Sequence, residues 1–97
     1  AIEPLEGIES MKRRRRTSRL TDLARGPGRL ASALAIDPRL DGLDLSANGP
    51  LWLGAPVRRT GPIGVSVRIG ISKDAHRMLR FYERGNPFVS GPKRLRI

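Results

Sequence analysis

The chain has 97 residues, with 19 Lys and Arg against 9 Asp and Glu, a formal net charge of +10, and no cysteine. That length and charge fit one small domain, or part of a larger one, whose long-range attraction favours polyanions. They exclude a disulfide framework and a thiolate metal site, and no apolar run approaches the roughly 20 residues of a membrane span.

The charge is uneven. Residues 1–25 hold seven basic and four acidic side chains (+3), residues 26–56 two and three (−1), and residues 57–97 ten and two (+8). The C-terminal third is the strongly cationic part. Aromatic residues make up 4% of the chain, too few for a single-strand binder built on a stacking platform.

Pro4 suits the first turn of a helix carrying Leu5, Ile8 and Met11 along one apolar edge. Lys12–Arg16 follows, a run of five cations that reads as a solvated, poorly ordered segment, or else as a phosphate-facing loop or arm. Thr17 or Ser18 is placed to cap a second short helix with Leu20, Leu23 and Ala24 on its inner face.

That helix is expected to stop at Gly26, in Gly26-Pro27-Gly28-Arg29. Gly26 closes the preceding turn with a positive φ, and Pro27 fits the first position of a new helix. Gly28 permits close approach to the backbone, and Arg29 adds charge where free amides and the helix dipole already favour an anion. The plain alternative is a helical corner without a ligand. The new helix is expected to bury Leu30, Ala31, Leu34 and Ala35.

Asp37-Pro38 is expected to end regular structure, and the turn-rich stretch to Pro50 leads into Leu51-Trp52-Leu53, with Trp52 in the core. From Ile63 to Ile71, Val65, Val67, Ile69 and Ile71 alternate with Gly64, Ser66, Arg68 and Gly70. The period predicts a strand that buries its Val and Ile side chains. Leu79–Arg84 reads as a second strand with Phe81 and Tyr82 on opposite faces, ending at the Gly85-Asn86-Pro87 turn. The tail from Gly91 to Ile97 is expected to fray. Helices followed by antiparallel strands make the class α+β. A two-stranded sheet is marginal alone, and the chain starts with Ala1 instead of methionine; either an initiator is removed or the chain is a piece of a longer polypeptide, and the thin sheet favours the piece.

Catalytic patterns are sparse. Gly26-x-Gly28-x-x-Ala31 has the spacing of a dinucleotide fingerprint but follows a helix instead of a strand, so no nucleotide cofactor is expected. His76 is the one histidine and belongs to no metal-ligand set. Ser66 and Ser90 lack a nucleophile elbow, Asp41 and Asp44 read as turn residues, and Glu3, Glu6 and Glu9 read as a helix face.

Several blocks together carry a family likeness. Glu3-Pro4-Leu5-Glu6-Gly7, Gly26–Leu30 with Ala33–Ile36, Leu51-Trp52-Leu53, Arg68-Ile69-Gly70-Ile71 and Leu79–Ser90 occur in this order. The chain resembles the C-terminal half of the 3-methyladenine (alkyladenine, methylpurine) DNA glycosylases, over nearly its whole length apart from the arginine run and the final residues. The resemblance implies half of a single mixed α+β domain, a barrel like the C-terminal domain of formyltransferases. It implies base-excision repair, in which an alkylated or deaminated purine is flipped from double-stranded DNA and its N-glycosidic bond hydrolysed.

By the same resemblance, the family's general-base glutamate, tyrosine wedge and base-stacking side chains belong to an N-terminal half that residues 1–97 do not include. Arg29 then matches a basic residue near the DNA backbone, with Gly26 and Gly28 at the same helix start. Ile69 matches a position whose backbone carbonyl orients the attacking water, a role open to any side chain. Lys73 stands where the family often has histidine, and carries no family role. The resemblance further implies a monomer, and the expected location is the cytoplasm of a bacterium or the nucleus of a eukaryote; no metal, cofactor or membrane partner is expected. The alternative is a small basic nucleic-acid-binding module without catalysis.

Overall fold

The computed structural model describes all 97 residues. Its elements are α1 (Ile8–Arg15), α2 (Pro27–Ala33), β1 (Ile63–Ser66) and β2 (Arg80–Glu83), with single 3-10 turns at Leu20–Asp22, Pro38–Leu40 and Lys93–Leu95. The class is α+β, as the order of helical and alternating patterns predicts.

Helix α1 begins later than Pro4. Gly7 takes a left-handed conformation, φ 68°, immediately before it, which no helix continues through. Pro4 is buried in the extended lead-in. Glu9 stands in the first turn and Lys12–Arg15 in the last, each end matched to the helix dipole. The arginine run is therefore largely helical, which corrects the expectation of a poorly ordered segment. Two of its members bond back to carbonyls of the fold. Arg14 donates from Nε and Nη2 to the Ala33 carbonyl at 2.9 and 2.7 Å, and Arg15 donates to the carbonyls of Leu23 and Asp22 at 2.9 and 3.1 Å. These carbonyls end helical turns and would otherwise lack partners.

The second expected helix is only the turn Leu20–Asp22, with no side-chain cap from Thr17 or Ser18. Leu23 and Ala24 are nonetheless buried, and with Met11 and Ala33 they form the core, flanked by Ile8, Leu30 and Leu34. Leu20 is exposed. On α2 the buried position is Ala33, while Ala35 is exposed at φ 55° beyond the helix end. Asp37 does not end regular structure; its carboxylate accepts from the Arg39 amide and starts the Pro38–Leu40 turn.

The strands pair antiparallel in the register Ile63↔Glu83, Gly64↔Tyr82, Val65↔Phe81, Ser66↔Arg80. β1 is shorter than the alternation predicts and its faces are reversed. Gly64 and Ser66 are buried, whereas Val65, Ile69 and Ile71 are exposed. The cause lies on β2: the Tyr82 ring covers Gly64, and Arg80 donates to Ser66 Oγ at 2.9 Å. The same two residues hold the tail, Arg80 through the Leu95 and Ser90 carbonyls and Tyr82 through a 2.9 Å bond to the Ile97 carbonyl. Arg80 also stacks 4.7 Å from the Tyr82 ring centre. The tail is thus tied down, not frayed. Phe81 occupies the opposite, exposed face.

Trp52 is 60% exposed, its ring lying over Gly54 instead of entering the core. Arg25, just before α2, donates from Nη2 to the Pro87 carbonyl in the turn after β2 at 2.6 Å and so links the helical part to the sheet part.

Candidate nucleic-acid interface

The Arg25–Arg29 segment is held at one end and open at the other. Arg25 pairs with Asp22 at 3.6 Å and reaches Pro87 across the fold. Gly26 follows at φ 113°, ψ 158°, a region essentially restricted to glycine. Pro27 then opens α2, and no side chain caps its N-terminus. The positive φ at Gly26 and the proline at the first helical position both match the sequence reading.

Gly26 and Pro27 form one wall of a cleft of about 550 Å³. The opposite wall is Arg68 and Ile69, just after β1, and Arg80 with Phe81 from β2; Leu79, Ser90 and Gly91 complete it. Two sequence-predicted residues, Gly26 and Ile69, therefore line the same cleft. Gly28 and Arg29 lie outside its lining, farther along α2, and both are exposed.

Ile69 lies beyond the strand, not within it. Its side chain is half exposed and packs on Gly91, whose φ of 98° and missing Cβ make room for the Ile69 methyl. No backbone amide of the chain donates to the Ile69 carbonyl.

The cleft is cationic and carries no carboxylate or imidazole among its lining residues. Arg68 donates from Nη2 to the Lys73 carbonyl at 3.1 Å, while its Nε is buried without a partner. Arg80 spends its donors on Ser66, Ser90 and Leu95. Such a surface can hold an anion and fix a polar molecule, but it holds no group that takes a proton near neutral pH. Sequence reasoning missed Arg80 as the residue that shapes this wall. Its signal was an arginine inside an otherwise half-apolar strand, a position that needs acceptors nearby.

Groups with shifted titration lie elsewhere. The Asp37 carboxyl is held below the usual range by the Arg39 guanidinium and then the Arg39 amide, and Asp44 is lowered by the hydroxyl and amide of Ser46. The Arg58 guanidinium is raised by its pair with Glu83 at 3.1 Å. Ser66 Oγ donates to the Val67 carbonyl at 2.9 Å and accepts from Arg80, so it is a structural hydroxyl. His76 is exposed, and nowhere do three or more His, Asp or Glu side chains gather in a metal-holding arrangement.

Comparison with known proteins supplies the context. The family model described as methylpurine-DNA glycosylase matches residues 1–87. A Mesorhizobium japonicum protein that carries the name 3-methyladenine DNA glycosylase in provisional form is 64% identical over 98% of this chain and 46% of its own length. The DNA-3-methyladenine glycosylase of Homo sapiens is 38% identical over 93% of this chain and 35% of its own length. The mouse protein of that name is 37% identical over 93% of the chain and 32% of its own length. The chain spans about half the length of the bacterial relatives it matches first.

Proposed function

The chain belongs to the methylpurine-DNA glycosylase family, and on that premise we propose that it is the DNA-backbone-binding and supporting half of a base-excision repair enzyme. The whole protein binds double-stranded DNA as a monomer, flips out an alkylated or deaminated purine such as 3-methyladenine or hypoxanthine, and hydrolyses its N-glycosidic bond.

The observation that carries this reading is the cleft shared by Gly26 and Ile69. It brings an uncapped, glycine-opened helix start beside Ile69, whose carbonyl receives no backbone amide. Gly28 and Arg29 approach a backbone phosphate through amides and a full charge. The Ile69 carbonyl accepts a hydrogen bond from the attacking water and orients it, while a carboxylate outside residues 1–97 takes the proton. Water adds to the sugar carbon as the bond to the purine breaks, so the products are the free base and an abasic site. Residues 1–97 alone bring no general base to the cleft and on this reading excise nothing.

The test is base release from a hypoxanthine-containing duplex by the intact protein. Release of the free base supports the glycosylase reading. Tight, salt-sensitive binding without release supports a nucleic-acid-binding module instead.

A further inference from the structure

A second cavity, of about 370 Å³, opens between the segment holding Arg19 and Arg25 and the turn and tail that follow β2. Four of its lining side chains are cations: Arg19, Arg25, Lys93 and Arg96. No Asp or Glu lines it, and Ile97 is its one large apolar residue. Asp22 stands just outside, 3.5 Å from Arg19 Nε and 3.6 Å from Arg25 Nη1. Among the side chains, one carboxylate stands against four cations.

The donors converge more densely than the fold requires. Arg25 Nη2 is bonded to the Pro87 carbonyl and Arg96 Nη1 to the Val89 carbonyl at 3.2 Å, which accounts for two of the four positions. Arg25 Nε is buried with no acceptor. Asn86 Oδ1 accepts from the Phe88 amide, so the side-chain group Asn86 has left to offer is its NH₂, another donor. A cavity that presents donors and positive charge almost exclusively matches an oxyanion, and its guanidinium groups suit phosphate.

We propose that this notch is a phosphodiester site, gripping the backbone of duplex DNA at a point separate from the Gly26–Ile69 cleft. Arg25 lines the notch and Gly26 lines the cleft, so adjacent residues of the chain link the two. The choice of DNA as the source of the phosphate rests on the glycosylase reading; the anion chemistry does not.

The experiment measures affinity of the intact protein for an undamaged duplex over a series of salt concentrations. Arg19 and Lys93 are exposed and bond no carbonyl through their side chains, so they are changed in place of Arg25 and Arg96. Arg19→Gln with Lys93→Gln is expected to weaken binding and to lower the salt slope by about 0.9 per lost contact, roughly 1.8 for the pair. Lys93→Gln alone lowers it by about 0.9. Arg19→Lys with Lys93→Arg keeps the slope. An unchanged slope together with unchanged inorganic phosphate binding in the folded double Gln variant overturns the site. Loss of inorganic phosphate binding in that variant, with the DNA slope intact, overturns the assignment to DNA and leaves a free-phosphate site. If the intact protein releases no damaged purine yet the variant still loses slope, the glycosylase reading falls and the notch stands.

Discussion

Arg14 of α1 holds the Ala33 carbonyl at the end of α2 in a two-pronged grip, Nε at 2.9 Å and Nη2 at 2.7 Å. A cation there satisfies an orphan helix carbonyl and complements the negative end of the dipole. Arg14→Ala is therefore expected to cost about 1.5–3 kcal/mol in chemical denaturation of the intact protein. Its neighbour Arg13 reaches only Ser10 Oγ, one turn back, at an exposed site. Arg13→Ala should shift stability by no more than about 0.5 kcal/mol. Equal losses at the two positions would show that the run acts by net charge alone.

The sheet depends on a bare position under a ring. A Cβ at Gly64 would overlap the Tyr82 ring carbons directly. Gly64→Ala is expected to destabilise by about 1–3 kcal/mol through overpacking. Adding Tyr82→Ser should restore part of that loss, because the obstructing ring is gone. A double variant no better than the additive sum of the singles would contradict the contact.

The two glycines that bracket Pro27 have different reasons to be glycine. Gly26 has φ 113°, whereas a Cβ at Gly28 meets nothing within 4 Å. Gly26→Ala should lose about 1–3 kcal/mol of stability from backbone strain. Gly28→Ala should gain about 0.5–1 kcal/mol of helix stability. If a phosphate approaches the start of α2, Gly28→Ala must also weaken DNA binding, because its methyl stands in the way. A more stable protein with undiminished affinity would remove Gly28 from the interface.

Local chemistry made much of this legible in the sequence. Gly26-Pro27 announces the start of α2, the period-two run marks β1, and Leu79–Arg84 with its closing turn marks β2, because these signals act on the backbone itself. The bounds and faces depended on partners distant in the chain. Nothing near Arg14 in sequence reveals that Ala33, 19 residues on, supplies its acceptor. Val65 and Ile69 promise burial by hydropathy, yet Tyr82 and Arg80 select the Gly64–Ser66 face because a ring fits a glycine and a guanidinium fits a hydroxyl. The tail looked loose for the same reason, its carbonyls being claimed by β2 side chains. Of the candidate site, Gly26 and Ile69 were readable by family likeness, while Arg68 and Arg80 needed the folded chain.

The Asp37 cap has a definite acid response. Its carboxyl is lowered by hydrogen bonds from the Arg39 side chain and amide. A depressed folded value means the cap contributes fully above the free-aspartate value and fades as pH falls through the lower folded one. An NMR titration should place the Asp37 midpoint below that of free aspartate, with the Arg39 amide shift following it. A midpoint at or above the free value would contradict the pairing.

We propose that the Gly26–Ile69 cleft serves purine excision, with the Ile69 carbonyl orienting water. Single-turnover base release from an alkylated duplex, by the intact protein with Ile69→Val and Ile69→Pro alongside, tests it most directly. Wild type should release the purine, and Ile69→Val should nearly match it because the carbonyl is kept. Ile69→Pro should be severely slowed, because proline fixes its own φ and forces Arg68 to rearrange. No release by wild type, or release by a folded Ile69→Pro at the wild-type rate, would contradict the claim.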